Sequence, residues 1–242
     1  MMPPIGGNTA LLLDIDGTLL DLARTPDLVK VPGDLVRALE KLAQQLSGAL
    51  AFVSGRSLED IDRLFTPLRA AAIGAHGGEI RGADGHVARV APLSEAVRSI
   101  FTGLADNVPG LLLEDKACAV ALHYRLAPEA LPVLLSAMDK HARLFEAEKV
   151  NVIHGKAVFE ARPQGVDKGT AVTSLLRQPP FAGRRVLFGG DDTTDLDVFR
   201  ILPHLGGRGF SVGKRFPGVE HVFESPHGVR QWLCRVAEAG VR

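Results

Sequence analysis

Ala10-Leu11-Leu12-Leu13-Asp14-Ile15-Asp16-Gly17-Thr18 sets two carboxylates one residue apart, directly after an apolar run and directly before a glycine. The run reads as a buried strand. Alternate residues of an extended chain point the same way, about 7 Å apart, so two acids leaving its carboxyl end can converge on one small group. A carboxylate so placed can attack phosphorus to give an aspartyl phosphate, and its neighbour can move the leaving group's proton. Gly17 lets the backbone turn sharply and approach a ligand closely, and Thr18 adds a hydroxyl donor. An ordinary acidic turn is the alternative, since Asp and Gly favour turns. A calcium loop is excluded: Gly17 is fourth from Asp14, whereas that loop requires glycine at its sixth position.

Outward from this strand the chain alternates. Asp34 to Leu46 carries Leu35, Val36, Leu39, Leu42, Ala43 and Leu46 at helical spacing behind an aspartate suited to cap it. Ala49 to Val53 reads as a second buried strand, Ser57 to Phe65 as a helix opened by a serine cap, and Ala70 to Ala75 as a third strand. Strand alternating with helix predicts a parallel sheet covered on both faces. From Glu79 the rhythm changes. A hairpin with an Asp84-Gly85 turn, helices over Ser94 to Asn107 and Glu129 to Phe145, an apolar strand over Cys118 to Tyr124, and a second hairpin turning at His154-Gly155, with its second strand over Lys156 to Ala161, form an α+β block. Helix, strand, helix, strand resume from Asp167 to Phe223, with a closing helix through Trp232. The expected organisation is a Rossmann-like α/β core of residues 1–78 and 162–242, interrupted by a second domain at 79–161.

Composition narrows the function classes. Basic and acidic residues balance at 28 each, which disfavours nucleic acid and anionic membrane surfaces as partners. The start, Met1 to Gly7, lacks the basic and long apolar segments of an export signal, and no run approaches the ~20 apolar residues of a membrane span. A cytoplasmic protein is expected. The two cysteines, Cys118 and Cys234, sit in apolar patterns away from any metal-ligand spacing and read as small buried hydrophobes. The eight histidines form no zinc-type pair. Among them, His123 follows the apolar Ala119 to Leu122 and reads as structural, and His76 as an organiser of the loop into the insert. No dinucleotide or Walker-type glycine loop is present.

Four polar clusters fall where strands end or helices begin, the rim at which open α/β sheets bind ligands. They are Asp14 and Asp16; Ser54-Gly55-Arg56, whose hydroxyl and backbone donors can hold phosphate oxygens; Asp167-Lys168-Gly169; and Gly189-Gly190-Asp191-Asp192-Thr193-Thr194-Asp195. A lysine in a first helical turn opposes the preference for acidic residues there, so an anion should face Lys168. Three carboxylates in five residues repel unless a cation or solvent screens them. Magnesium prefers carboxylates, waters and phosphate oxygens and can clamp a phosphoryl group.

In this order the motifs resemble those of the haloacid dehalogenase superfamily of magnesium-dependent phosphatases. Val53 to Arg56, Gly74 to Gly77, Leu113 to Lys116, Ala121 to Arg125, Phe159 to Pro163 and Gly190 to Asp195 are similar, within it, to the trehalose-6-phosphate phosphatases. The resemblance implies that Asp14 is the nucleophile, Asp16 the general acid and base, and Lys168 the neutraliser of charge at the phosphorylated Asp14. Thr18, Ser54, Gly55 and Arg56 would hold the phosphate, and Mg2+ would be bound by Asp14, the backbone carbonyl of Asp16, and Asp191, with Asp192 and Asp195 in support. The insert would be a mobile cap whose Glu114, Lys116 and Glu160 grip the sugar. Where the family usually follows its last aspartate with glutamate, this chain has Leu196, so an orienting role is lost or passes to Asp197.

The implied reaction is hydrolysis of trehalose 6-phosphate to trehalose and phosphate through an aspartyl phosphate, the last step of trehalose biosynthesis. A phosphatase of sucrose phosphate or mannosyl phosphoglycerate is the near alternative, and a non-catalytic module that kept the fold the distant one. The expected partner is a small-molecule sugar phosphate, with neither nucleic acid nor membrane, for a chain acting as a monomer.

Overall fold

The computed structural model describes residues 3–22, 29–116, 118–155 and 157–241. Met1, Met2 and Lys156, which entered the reading of the start and of the second hairpin, lie outside them. The chain divides into two units, residues 1–89 with 167–242, and residues 90–166.

The first unit opens with β1 (Thr9–Leu13), α1 (Gly33–Gln45), β2 (Leu50–Val53), α2 (Leu58–Phe65), β3 (Ala71–Gly74), β4 (Glu79–Arg81) and β5 (Val87–Arg89). The insert follows with α3 (Glu95–Asn107), β6 (Leu112–Lys116), β7 (Ala119–His123), α4 (Leu131–Ala147), β8 (Val150–Gly155) and β9 (Val158–Pro163). The first unit then resumes with α5 (Lys168–Leu175), β10 (Arg185–Gly190), α6 (Leu196–Ile201), β11 (Arg208–Val212), β12 (Val219–Phe223) and α7 (Pro226–Ala239).

The core sheet runs β12-β11-β10-β1-β2-β3-β4-β5. Its members from β12 to β3 are parallel, and the hairpin β4-β5 extends the edge antiparallel. Every residue of β1, β2 and β3 is buried, which accounts for their continuous apolar runs in place of an alternating pattern. Phe52 stacks on Phe65 of α2 at 4.2 Å between centroids, joining strand to covering helix. Parallel strands all present their carboxyl ends to one edge, so the polar residues that follow β1, β2 and β10 arrive on one rim.

Two expectations are corrected here. The hairpin at 79–89, placed with the insert by its change of rhythm, belongs to the core sheet: Ala72 pairs with Arg81 and Gly74 with Glu79. Arg81 is buried, and its guanidinium donates twice to Asp62, at 2.7 and 2.6 Å, tying the hairpin to α2. The insert accordingly begins at Val90 and ends at Val166. Helix α1 is entered through Pro32, with Asp34 inside its first turn, where its charge favours the helix dipole without capping.

The insert is a four-stranded antiparallel sheet, β6-β7-β9-β8. Val120, Leu122, Phe159 and Ala161 pack one face against Val97 and Phe101 of α3 and Leu134, Met138 and Phe145 of α4. The period of two then puts Ala121, His123 and Glu160 on the opposite face. His154 and Gly155, expected as the turn of this hairpin, are instead strand residues of β8, paired with Phe159 and Val158.

Candidate active site

Asp14 is the first residue after β1, and its N–H donates to the Gly189 carbonyl at the end of β10, 2.9 Å away. The chain then folds back: the amides of Leu19 and Leu20 both donate to Ile15 O at 2.9 Å, and that of Gly17 to Leu20 O at 2.8 Å. Gly17 sits at φ +81°, and a Cβ there would lie 2.1 Å from Asp191 Oδ2. Glycine is therefore required twice, for its backbone conformation and for the approach of a carboxylate from the other end of the chain.

The anion that Lys168 needs is present, and it is two carboxylates. Asp167 caps α5 by accepting from the Thr170 amide at 2.8 Å. Lys168, next in line and buried, donates to Asp14 Oδ1 at 2.8 Å and to Asp195 Oδ1 at 2.6 Å. Asp195, fully buried, accepts through its other oxygen from the amides of Asp191 and Asp192, at 2.9 and 3.0 Å. Asp195 thereby fixes both the lysine and the loop carrying Asp191. Residues Thr193–Asp195 form a 3-10 turn that swings this side chain inward, a feature the spacing of the three acids left unread. Burial pulls the Lys168 ammonium down, but Asp14 and Asp195 outweigh it and hold the group above its ordinary range.

Thr18, also fully buried, donates to Asp191 Oδ1 at 3.3 Å. Carboxylate oxygens of Asp14, Asp191 and Asp195 lie within 4.8 Å of one another. Burial raises the Asp14 carboxyl well above the usual range against the attraction of Lys168, and Asp195 and Asp191 add to the rise. Burial, then Asp195 and Asp192, push Asp191 up to about 6. Three carboxylates thus share one ammonium, a deficit that suits a divalent cation held by hard oxygen donors.

Beyond β2, Ser54 is buried and its Oγ accepts from the Arg56 amide at 3.2 Å. Gly55 lies under the His76 ring, where a Cβ would meet Nε2 at 2.4 Å; His76 itself is at φ +53° in the turn after β3. The Arg56 guanidinium donates from Nε and Nη2 to the two oxygens of Asp16, at 2.7 and 2.6 Å. Arg56, expected at the phosphate, is here the bidentate partner of Asp16. Glu79 accepts from the Leu58 amide at 2.8 Å and caps α2 beside this loop, a contact its position in a hairpin did not signal.

Asp14, Asp16, Thr18, Ser54, Gly55, Arg56, Lys168 and Asp191 thus all lie at the carboxyl rim of the core sheet or in the loops that leave it. Glu114, Lys116 and Glu160 are on the insert and form a cluster of their own. Lys116 Nζ is 3.0 Å from Glu160 Oε2 and 3.7 Å from Glu114 Oε2. Register explains the meeting: Glu114 pairs with Ala121 and Ala121 with Glu160, so two acids flank a small residue that lets Lys116 lean between them. His123 joins them, its Nε2 2.9 Å from Glu114 Oε2. The residue read as structural from the sequence thus stands, partly exposed, in contact with one of the charged groups of this face.

Residues 12–223 match the model of the family described as trehalose-phosphatase. The chain is 45% identical over 222 residues to a probable trehalose-phosphate phosphatase of Sinorhizobium fredii, covering 90% of this chain and 83% of that one. It is 35% identical over 215 residues to the trehalose-6-phosphate phosphatase of Escherichia coli K12, covering 87% and 80%. Among solved structures, the C-terminal domain of trehalose-6-phosphate phosphatase from C. albicans superposes with a TM-score of 0.76 at 24% identity over 96% of this chain and 93% of that one, a likeness of fold.

Proposed function

The chain belongs to the trehalose-phosphatase family, and from that premise we propose that it hydrolyses trehalose 6-phosphate to trehalose and inorganic phosphate through a phosphorylated Asp14. The observation that carries the reading is the buried contact of Lys168 with Asp14 and Asp195 at 2.8 and 2.6 Å, beside Asp191 at the rim where the strands end.

In this mechanism Asp14 Oδ attacks phosphorus as the bond to the sugar oxygen breaks, and Asp16 delivers a proton to that departing oxygen. Water then attacks the aspartyl phosphate, Asp16 takes its proton, and Asp14 is regenerated. Lys168 stays against Asp14 in both halves, countering charge that gathers on the phosphoryl oxygens. Ser54 supplies a hydroxyl donor to the same oxygens, and Thr18 supplies another once its hydroxyl turns from Asp191, 3.3 Å away. Arg56 orients Asp16; the pair must loosen while Asp16 carries the proton it will deliver, and it closes again as that proton leaves.

Mg2+ fits the deficit of charge among Asp14, Asp191 and Asp195. Asp14, Asp191 and the backbone carbonyl of Asp16 would hold it, with Asp195 kept in place by Lys168 and two amides. Bound there, it supplies neutralisation of the acids and of the phosphoryl group. On the insert, Glu114, Lys116 and Glu160 offer charged partners to sugar hydroxyls, which strengthens such hydrogen bonds. Among the described residues no helix is long and apolar enough to cross a membrane.

Phosphate release from a panel of sugar phosphates with Mg2+ tests the reading. Trehalose 6-phosphate should have the highest kcat/KM, and Asp14→Asn should abolish turnover. A preference for sucrose phosphate or mannosyl phosphoglycerate would overturn the substrate and leave the chemistry standing; equal activity of wild type and Asp14→Asn would overturn the chemistry.

A further inference from the structure

The face of the insert's sheet opposite α3 and α4 carries four polar side chains in contact. Lys116 Nζ reaches Glu160 at 3.0 Å and Glu114 at 3.7 Å, and His123 Nε2 reaches Glu114 at 2.9 Å. Both Lys116 and His123 approach the same atom, Glu114 Oε2. Of these two contacts only that of His123 is of hydrogen-bond length, so His123 is the neighbour that sets how the Glu114 carboxylate turns.

From this arrangement we infer that His123 is a positioning residue for sugar recognition, acting through Glu114; the inference rests on the sugar-phosphatase reading above. Glu114 stands on β6, an edge strand of the sheet, with its side chain half exposed. A glutamate so placed has several rotamers, and selecting one on binding costs conformational entropy. A neighbour that holds it beforehand removes that cost from the binding step. His123 is suited to this because an Nε2–H donates to a carboxylate in the neutral ring as well as in the charged one.

A purely structural role accounts poorly for the residue. Its side chain is 41% exposed, alternation along β7 sets it on the face away from Val120 and Leu122, which pack in the insert's core, and a contact between exposed polar groups adds little to stability. What the contact does is fix a carboxylate beside a lysine and a second carboxylate. A row of alternating acceptor and donor groups on a flat surface is the chemistry that reads neighbouring hydroxyls. An ester without such hydroxyls has no use for it.

The test compares full-length wild type, His123→Ala, His123→Gln, Glu114→Ala and the double variant His123→Ala/Glu114→Ala. Each is assayed for steady-state phosphate release from trehalose 6-phosphate and from p-nitrophenyl phosphate, with thermal unfolding as a check on the fold. His123→Ala should raise KM for the sugar phosphate roughly tenfold, the scale of one hydrogen bond to a charged group. It should leave kcat/KM for p-nitrophenyl phosphate within about twofold of wild type. His123→Gln, which keeps an N–H donor, should recover part of the loss, and the double variant should be no worse than Glu114→Ala. Additive losses in the double variant, or equal losses on both esters, would overturn the role of His123 while the sugar reading stands. A wild type that hydrolyses p-nitrophenyl phosphate but not trehalose 6-phosphate would overturn that reading and this inference with it.

Discussion

Lys168→Met removes the ammonium shared by Asp14 and Asp195 while keeping a side chain of similar length, so the effect is electrostatic more than steric. The structure sets its size. Both carboxylates are buried, and the substitution deletes their hydrogen bonds to the lysine, 2.8 and 2.6 Å long. Removing one partner of a buried pair costs about 3–5 kcal/mol. A ceiling comes from protonation, because a carboxyl that cannot stay charged can take a proton. Doing so at pH 7.5 against an unfolded value near 3.9 costs about 5 kcal/mol, at about 1.4 kcal/mol per pH unit. The sign follows. A carboxyl whose folded value lies above its unfolded one stabilises the fold fully at low pH and loses that contribution as pH rises, so the variant's penalty grows with pH. In the wild type, Lys168 is held above its ordinary range, so its contribution is present at neutral pH and lost only in strong alkali. The expected result from urea unfolding is a loss of about 3–5 kcal/mol at pH 7.5, shrinking to roughly 1–2 kcal/mol at pH 5. Phosphate release should fall by at least ~10²-fold, as when a preorganised donor is lost from a charged transition state. A variant within about 1 kcal/mol of wild type at pH 7.5, or a penalty that grows toward pH 5, would refute the reasoning.

Gly17→Ala should damage the acidic cluster beyond its backbone strain, because the added Cβ would lie 2.1 Å from Asp191 Oδ2. Gly165→Ala is the control, since Gly165 also has positive φ, +74°, with no neighbour within 4 Å. Both should lose about 1–2 kcal/mol in unfolding experiments, but only Gly17→Ala should need roughly tenfold more Mg2+ for half-maximal phosphate release; equal Mg2+ requirements would show that the approach of Asp191 does not matter. In the Mg2+-free protein, Asp191, raised from 3.8 to about 6, should lower thermal stability as pH climbs through that window. Mg2+ should therefore raise the unfolding temperature more at pH 7.5 than at pH 5, and a shift at least as large at pH 5 would contradict the assignment of the cation to these acids.

What the sequence discloses and what it hides differ by residue. Asp14 and Asp16 are legible because a short apolar run, a period of two and a glycine are all local. Lys168 is legible as a misplaced charge: a first-turn lysine demands an anion, and the fold supplies two. Asp195 is harder, because three acids in five residues look alike until a 3-10 turn directs one inward. Strand β6, Leu-Leu-Glu-Asp-Lys, carries residues with low strand propensity, and its extended form depends on pairing with β7. Strand β11, Arg-Gly-Phe-Ser-Val, depends likewise on β10 and β12. Sheet membership of β4 and β5 follows from the register of Ala72 with Arg81, which no local pattern contains. The exposure of His123 is within reach of the sequence. Its apolar neighbours suggest burial, yet alternation sets Val120 and Leu122 on one face and Ala121 and His123 on the other.

This last point bears on how selectivity is divided. In the mechanism proposed above, the groups at the rim of the core sheet address what every phosphate monoester has in common: a phosphorus to attack, oxygens to neutralise and a leaving oxygen to protonate. Asp14, Asp16, Lys168, Thr18 and Ser54 have no feature that tells one sugar from another. Discrimination among sugar phosphates must then come from groups that contact hydroxyls, and it is limited by how well those groups are held before the ligand arrives. On the insert, Glu114 and Glu160 are set two strands apart by Ala121, bridged by Lys116, and anchored at one end by His123. Changes confined to that row should alter the ranking of sugar phosphates without altering the turnover of a simple ester, whereas changes at Asp14, Lys168 or Asp191 should depress both together.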